Sequence, residues 1–186
     1  MVIDIQGETW REENSKNNIV LIGMPGAGKS TMGVILAKAL RRSFVDTDIV
    51  IQEHEGMLLQ EIIDRGGIGA FLNAEEVAVL SLRCSNAVIS TGGSVVFSRK
   101  AMKHLGVHGT LVYLKVSFDE MERRLRNITT RGIVLKKGES LREMYDERVP
   151  LYERYADITA DCTGVDFEDC TANIIEELKK RMISSP

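Results

Sequence analysis

The stretch Gly23-Met24-Pro25-Gly26-Ala27-Gly28-Lys29-Ser30-Thr31 decides the fold that this sequence predicts. It follows the apolar run Ile19-Val20-Leu21-Ile22, and the residues after it have an apolar repeat of helical period. A strand, a glycine-rich loop and a helix therefore follow one another, with the pattern G-x-x-x-x-G-K-S at the junction. The glycines let backbone N–H groups turn inward around an anion, and the helix N-terminus adds partial positive charge. The pattern predicts a loop that binds nucleotide phosphates.

Individual roles within this loop follow from side-chain chemistry. We assign nucleotide binding to Gly26, Ala27, Gly28, Lys29, Ser30 and Thr31. Lys29 can reach the β- and γ-phosphates of ATP, which makes it a candidate catalytic residue, and the Ser30 hydroxyl can hold Mg²⁺.

Composition and charge restrict the class of protein. The chain has 186 residues, enough for one domain with its own core, and a net charge of −3. That charge disfavours nucleic acid as a partner. No apolar run approaches the roughly 20 residues that span a membrane. The polar, acid-containing residues 1–18 do not fit a signal peptide, so we expect a cytoplasmic protein. We also expect a monomer.

The three cysteines, Cys84, Cys162 and Cys170, are widely spaced and include no C-x-x-C pair. Such spacing predicts neither a disulfide framework nor a zinc site. We expect all three to be small apolar core residues.

Short apolar segments alternate with helical patterns along the rest of the chain. The segments around residues 19–22, 44–45, 87–90, 110–114 and 158–162 read as short strands, and we expect 44–45 and 87–90 to be buried. This alternation predicts an α/β fold with a central five-stranded parallel sheet and helices on both faces. Residues 1–18 form an N-terminal extension and 19–186 a single domain. Within it, residues 46–82 read as a small helical region interrupted by glycines, and residues 127–140 as a mobile polar segment. Pro150 should bend or interrupt the helix around it.

Two strand ends carry further candidates, because ligands in open α/β sheets lie at the carboxyl ends of the strands. Asp46-Thr47-Asp48 follows the second strand, and on an extended segment its carboxylates would point to opposite sides. One could face Mg²⁺, which favours Asp46, and the other an acceptor substrate, which favours Asp48. The alternative is a helix N-cap at Asp48. Thr91-Gly92-Gly93-Ser94 follows the third strand, where Gly92 and Gly93 allow close approach of a substrate or form an ordinary turn.

Arginines supply the candidate anion contacts. Arg131 lies in the polar segment 127–140, and Arg124 and Arg126 come just before it. Arginines that close over a nucleotide stabilise the transferring phosphoryl group, and solvated surface charges are the alternative. Arg148 is a candidate clamp for a substrate carboxylate, with a surface ion pair as the alternative.

Taken together, these motifs resemble the shikimate kinase family of P-loop enzymes, from Ile19 to the C-terminus. The resemblance implies a three-layer P-loop kinase fold, with residues 46–82 as the acceptor-binding region and residues 127–140 as a lid. It implies ATP and Mg²⁺ as cofactors and a role in aromatic amino acid biosynthesis. It also implies a magnesium role for Asp46 and an acceptor-binding or base role for Asp48. The other matched positions are Glu75, the lid arginine Arg131, and Arg148 in Arg148-Val149-Pro150-Leu151-Tyr152.

The chain departs from the family pattern on the acceptor side. Leu72 stands where the family has an arginine that contacts the acceptor carboxylate, and Ser94 replaces the third of three glycines. The lid motif reads Arg131-Gly132-Ile133-Val134. Loss of a bidentate carboxylate contact typically costs a few kcal/mol, about a hundredfold in affinity. The residues expected to bind ATP are all present.

The favoured hypothesis is an ATP-dependent kinase that phosphorylates an alcohol of a small carboxylic acid, with shikimate as the family default. A kinase for a smaller hydroxy amino acid such as homoserine is one alternative, since Leu72 could fill lost volume and Asp48 could pair with an ammonium group. A non-catalytic nucleotide-binding protein and a nucleoside-monophosphate kinase are the others. Asp64-Arg65-Gly66-Gly67 fits the D-x-x-G of GTPases, but no strand precedes it and N-K-x-D is absent.

Overall fold

The computed structural model describes residues 16–126, 134–136 and 138–184. Five strands alternate with seven α-helices in this part of the chain. The strands are β1 (Asn18–Ile22), β2 (Ser43–Asp46), β3 (Ala87–Ser90), β4 (Gly109–Lys115) and β5 (Ile158–Asp161). The helices are α1 (Lys29–Leu40), α2 (Thr47–Glu55), α3 (Leu59–Ser81), α4 (Arg99–His108), α5 (Phe118–Arg126), α6 (Leu141–Tyr155) and α7 (Phe167–Ser184).

The strands form one parallel sheet in the order β2-β3-β1-β4-β5, with helices on both faces. The predicted fold class is therefore confirmed. All residues of β1 and β3 are buried, as expected for strands covered on both sides. The edge strand β2 is only half-buried, so the prediction of a buried strand there was wrong. β1 lies at the centre, and the phosphate loop leaves its carboxyl end.

Two hydrophobic cores lie within the described residues and support different parts of the molecule. The main core joins the sheet to its covering helices. A smaller core lies under α2 and α3 and includes Ile51, Ile62 and Phe71. The region predicted to bind an acceptor therefore has its own packing, next to the sheet.

Backbone geometry settles two local predictions. α3 is kinked at Gly67, whose φ of 73° lies in the left-handed region that favours glycine. This agrees with the predicted glycine interruptions between residues 49 and 82. Pro150, in contrast, does not interrupt α6, which continues to Tyr155. A proline is compatible with a continuous helix where neighbouring contacts hold the helix in place, and here the following turn carries the buried Tyr152.

Cys162 and Cys170 are buried core residues, as expected, but the prediction that they form no disulfide was wrong. Cys162 and Cys170 form a disulfide, because the short connection from β5 to α7 brings their Cα atoms to 5.8 Å. Cys84 is free and half-buried.

Three other predictions lie wholly or partly outside the described residues. Residues 1–15 of the N-terminal extension are outside them, and Asn18 already belongs to β1. Residues 127–133, with Arg131, are also outside, as is residue 137.

None of the described helices is long and apolar enough to cross a membrane.

Candidate active site

The phosphate loop has the conformation that its glycines predict. Gly26 and Gly28 adopt φ angles of 77° and 95°, and Gly28 is the N-cap of α1, so it offers no side chain to cap that helix. The first N–H groups of α1 are then available to an anion. The Lys29 Nζ donates to the carbonyl oxygens of Gly23 and Met24, each at 2.8 Å. This arrangement fits the phosphates of a nucleotide.

Arg124 of α5 packs on the same loop. Its Nη1 donates to the carbonyl of Ala27 at 3.2 Å, and its guanidinium lies 5.6 Å from the centre of the Phe167 ring. A Cβ on Gly28 would meet that ring at 2.7 Å, so Phe167 closely covers the loop. The structure therefore brings Arg124 to the phosphate loop, as its predicted nucleotide role requires. Phe167 was missed, since a single aromatic residue in the sequence does not reveal its position.

The two aspartates after β2 do not lie on one extended segment. Asp46 ends β2 and caps α2, since its Oδ1 accepts from the Asp48 N–H at 3.0 Å. Asp48 lies in the first turn of α2, so the expectation of alternating directions along a strand was wrong. An aspartate does cap the N-terminus of α2, as the alternative predicted, but this residue is Asp46 and not Asp48.

A serine on β3 connects the two candidate magnesium ligands. Ser90 is paired in register with Asp46, and its hydroxyl lies 3.4 Å from that of Ser30. Both candidate ligands therefore lie next to Ser90 at the carboxyl edge of the sheet. No sequence signal distinguished Ser90 from an ordinary strand residue.

A first cavity joins the phosphate loop to the predicted acceptor residues. Its walls include Lys29, Ser30, Asp48, Gly92, Gly93 and Arg148. A Cβ at Gly93 would lie 2.8 Å from the Cδ of Pro25, so the glycine segment after β3 touches the phosphate loop. The phosphate loop, the start of α2, the segment after β3 and α6 thus meet in one space. The described residues contain no cluster of three or more His, Cys, Asp or Glu side chains able to hold a metal without a ligand's help.

Arg148 is a buried residue of this cavity and not a surface one. It is 2% exposed, which excludes the surface ion pair considered above. Its Nη2 donates to the carbonyl of Val134, and its guanidinium lies 5.2 Å from the centre of the Phe97 ring. Its Nε is buried and has no hydrogen-bond partner within the described part of the chain. A buried donor without a partner fits a site that binds an anion.

A second cavity adjoins the first and contains Leu72. Its walls include Leu72, Glu75 and Glu76 of α3, and Ser94 and Phe97 after β3. Ser94 also lines the first cavity. Leu72 therefore lies beside the predicted acceptor site, not directly in the first cavity. The Ser94 hydroxyl donates to the Glu75 Oε2 at 2.7 Å.

Burial raises the pKa of Glu75 to about 7. This pKa already includes smaller effects: the hydrogen bond from Ser94 and the charges of Arg148 and Lys29 lower it, and the charge of Asp48 raises it. Folding therefore strengthens proton binding by this carboxyl, whose pKa in an unfolded chain is near 4.5.

We expect the substitution Glu75→Gln to stabilise the protein increasingly as pH rises from 5 to 8. Because the folded pKa of Glu75 is above the unfolded one, the wild type loses stability between about pH 4.5 and 7. The loss reaches roughly 3 kcal/mol, at about 1.4 kcal/mol per pKa unit. Urea unfolding of both proteins at pH 5 and pH 8 measures the difference. An equal difference in the free energy of unfolding at both pH values would contradict the raised pKa.

Comparison with known proteins identifies the family. Residues 25–179 match the family model described as shikimate kinase. Shikimate kinase of Thermodesulfovibrio yellowstonii is 36% identical over 88% of this chain and 95% of its own. That of Paracidovorax citrulli is 41% identical over 75% of this chain and 79% of its own.

Solved structures agree with these sequence matches. Shikimate kinase from Acinetobacter baumannii, in complex with shikimate, superposes with a TM-score of 0.83 at 27% identity, over 90% of this chain and 96% of its own. That of Aquifex aeolicus superposes with a TM-score of 0.76 at 27% identity, over 90% and 99%. The sequence and structure matches agree with the parallel sheet and the phosphate loop described above. The chain therefore belongs to the shikimate kinase family, whose members are kinases that phosphorylate a hydroxyl group.

Proposed function

We propose that this chain transfers the γ-phosphoryl group of ATP to a hydroxyl of a small carboxylic acid, with shikimate as the default acceptor. The observation that carries the proposal is the first cavity, because phosphate-loop and acceptor-side residues share it. Lys29 and Asp48 line the same space, so a phosphoryl donor and a hydroxyl acceptor can meet there. The names of the relatives favour shikimate as the first acceptor to assay.

The proposed reaction is a direct displacement at phosphorus. The acceptor oxygen forms a bond to the γ-phosphorus, the bond from that phosphorus to the β–γ bridging oxygen breaks, and ADP leaves with the electron pair. Asp48 orients the acceptor hydroxyl and accepts its proton. Lys29 stabilises the negative charge on the transferring phosphoryl group. We assign the same role to Arg131, which lies outside the described residues.

The acceptor carboxylate is assigned to Arg148. Its buried guanidinium, with an Nε that lacks a partner within the described residues, supplies the donor that a carboxylate needs. Gly92 and Gly93 line the same cavity, and we assign their backbone to contact with the acceptor.

Magnesium is assigned to Ser30 and Asp46. Hydroxyl and carboxylate oxygens suit this hard cation, and Ser90 links the two residues at the sheet edge. When bound, Mg²⁺ neutralises phosphate charge. Arg124 and the backbone N–H groups of the loop hold the nucleotide.

We also propose a cytoplasmic, monomeric enzyme. Lys29, Asp48 and Arg148 already meet within one chain, so the proposed transfer requires no residue from a second copy. Sedimentation velocity tests the oligomeric state.

The decisive experiment is a coupled ADP-release assay with ATP, Mg²⁺ and shikimate, with ³¹P NMR to identify the product. Shikimate-dependent ADP release with formation of a phosphate ester supports the proposal. ATP binding by calorimetry, without transfer to any hydroxy acid, would show a nucleotide-binding protein without kinase activity.

A further inference from the structure

The second cavity contains a carboxylate that the proposed reaction does not use. Glu75 is 2% exposed, and its Oε2 accepts from the Ser94 hydroxyl. Its Oε1 is buried and has no hydrogen-bond partner within the described residues. A buried carboxylate oxygen without a donor is costly, and a ligand that supplies a donor removes that cost.

This oxygen lies against Gly92, a residue that lines the first cavity. It lies 2.2 Å from the place where a Cβ on Gly92 would stand, and the Asp48 Oδ1 lies 3.2 Å from the same place. Glu75 and Asp48 therefore converge at Gly92, and the charge of Asp48 also acts on Glu75. A cationic group that approaches these two side chains would be attracted by both carboxylates.

The surrounding residues leave Glu75 available for a ligand. Leu72, which lines the same cavity, is apolar and adds no charge. Glu76 lines the same cavity but differs from Glu75, because it already accepts from the Ser98 hydroxyl at 2.6 Å and the Lys100 Nζ at 3.1 Å. Glu75 has no comparable lysine or arginine contact among the described ion pairs.

Arg148 lies close enough to serve the same ligand. Its guanidinium stacks over Phe97, which lines the second cavity, and its charge acts on Glu75. The space next to Glu75 is about 460 Å³ with its mouth included, far more than an amino group occupies. One small molecule can therefore place a carboxylate on Arg148 and a donor on Glu75.

We propose that Glu75, held by Ser94, forms a subsite for the protonated amino group of the acceptor, so that the chain accepts a hydroxy amino acid. This inference rests on the proposed function and names its acceptor class. The carboxylate binds Arg148, the ammonium group donates to Glu75, and the hydroxyl meets Asp48.

The test compares two acceptors that differ only in the amino group. Homoserine and 4-hydroxybutyrate both carry a hydroxyl and a carboxylate, and shikimate serves as the reference. We expect kcat/KM for homoserine to exceed that for 4-hydroxybutyrate by about tenfold to a hundredfold, the range for a hydrogen bond between charged groups. Glu75→Gln should remove most of this preference, whereas Glu76→Gln, at the neighbouring paired carboxylate, should retain it.

A gain-of-charge variant gives an independent measurement. Leu72→Arg places a guanidinium in the second cavity, where it can pair with Glu75. We expect it to lower kcat/KM for homoserine at least about tenfold, with the KM for ATP unchanged.

The outcomes separate the two proposals. Equal rates with homoserine and 4-hydroxybutyrate, or transfer to shikimate alone, would overturn the subsite and leave the proposed function intact. Retention of the amino-group preference in Glu75→Gln would also overturn the subsite. Absence of transfer to every acceptor, with ATP bound, would overturn the proposed function and the subsite together.

Discussion

Replacing Lys29 by methionine is expected to lower kcat by about a thousandfold. The ammonium group is held within the loop by the carbonyls of Gly23 and Met24, at the N-terminus of α1. It is therefore positioned before a nucleotide arrives, which makes it an effective stabiliser of charge that develops in the transition state. Methionine keeps the length of the side chain and removes only the charge and the donors. Steady-state ADP release at saturating ATP and acceptor measures the effect.

Lys38→Met is the matched control. Lys38 lies in the last turn of the same helix and is exposed. We expect its kcat to remain within about twofold of the wild type, as is usual for a surface substitution. In Lys29→Met the carbonyls of Gly23 and Met24 lose their hydrogen-bond donor. A thermal unfolding curve checks that the variant is still folded. A folded Lys29→Met protein with wild-type kcat would contradict the role assigned to this lysine.

Replacing Asp48 by asparagine is expected to lower kcat by at least about a hundredfold, with the affinity for ATP nearly unchanged. Asparagine preserves the size of the side chain and the backbone N–H that donates to Asp46, so the start of α2 remains intact. It cannot accept the hydroxyl proton. Single-turnover phosphoryl transfer, with separate calorimetry of ATP binding, distinguishes loss of chemistry from loss of binding.

Asp64→Asn provides the comparison on α3. Asp64 is an exposed residue whose contact is with Gln60 on its own helix. Its kcat should match that of the wild type. If Asp48→Asn and Asp64→Asn gave the same kcat, Asp48 would have no role in the chemical step.

The sequence was informative where local physics decides the structure. The phosphate loop was predictable because its glycines, its lysine and the flanking strand and helix all act within a few residues. The parallel sheet followed from buried apolar segments alternating with helical patterns. The conformation of Asp46 and Asp48 was not predictable from alternation, because Asp46 ends its strand and caps the next helix.

Contacts between distant segments escaped prediction. The position of Ser90 between Ser30 and Asp46 depends on the register of two strands. The pairing of Cys162 with Cys170 depends on the path of one connection. The packing of Phe167 on Gly28 joins the last helix to the first loop. Each depends on tertiary geometry that carries no local sequence signal.

The contact between Gly93 and Pro25 has a consequence for how this scaffold can evolve. Because any side chain at Gly93 would collide with the phosphate loop, a new acceptor cannot be accommodated there without disturbing the nucleotide end. Ser94, one residue later, faces α3 instead, where its partner is Glu75. Selection for new acceptors should therefore accumulate changes at residue 94 and along α3 and leave residue 93 as glycine. A library restricted to those positions would explore acceptor choice while the machinery for handling ATP stays constant.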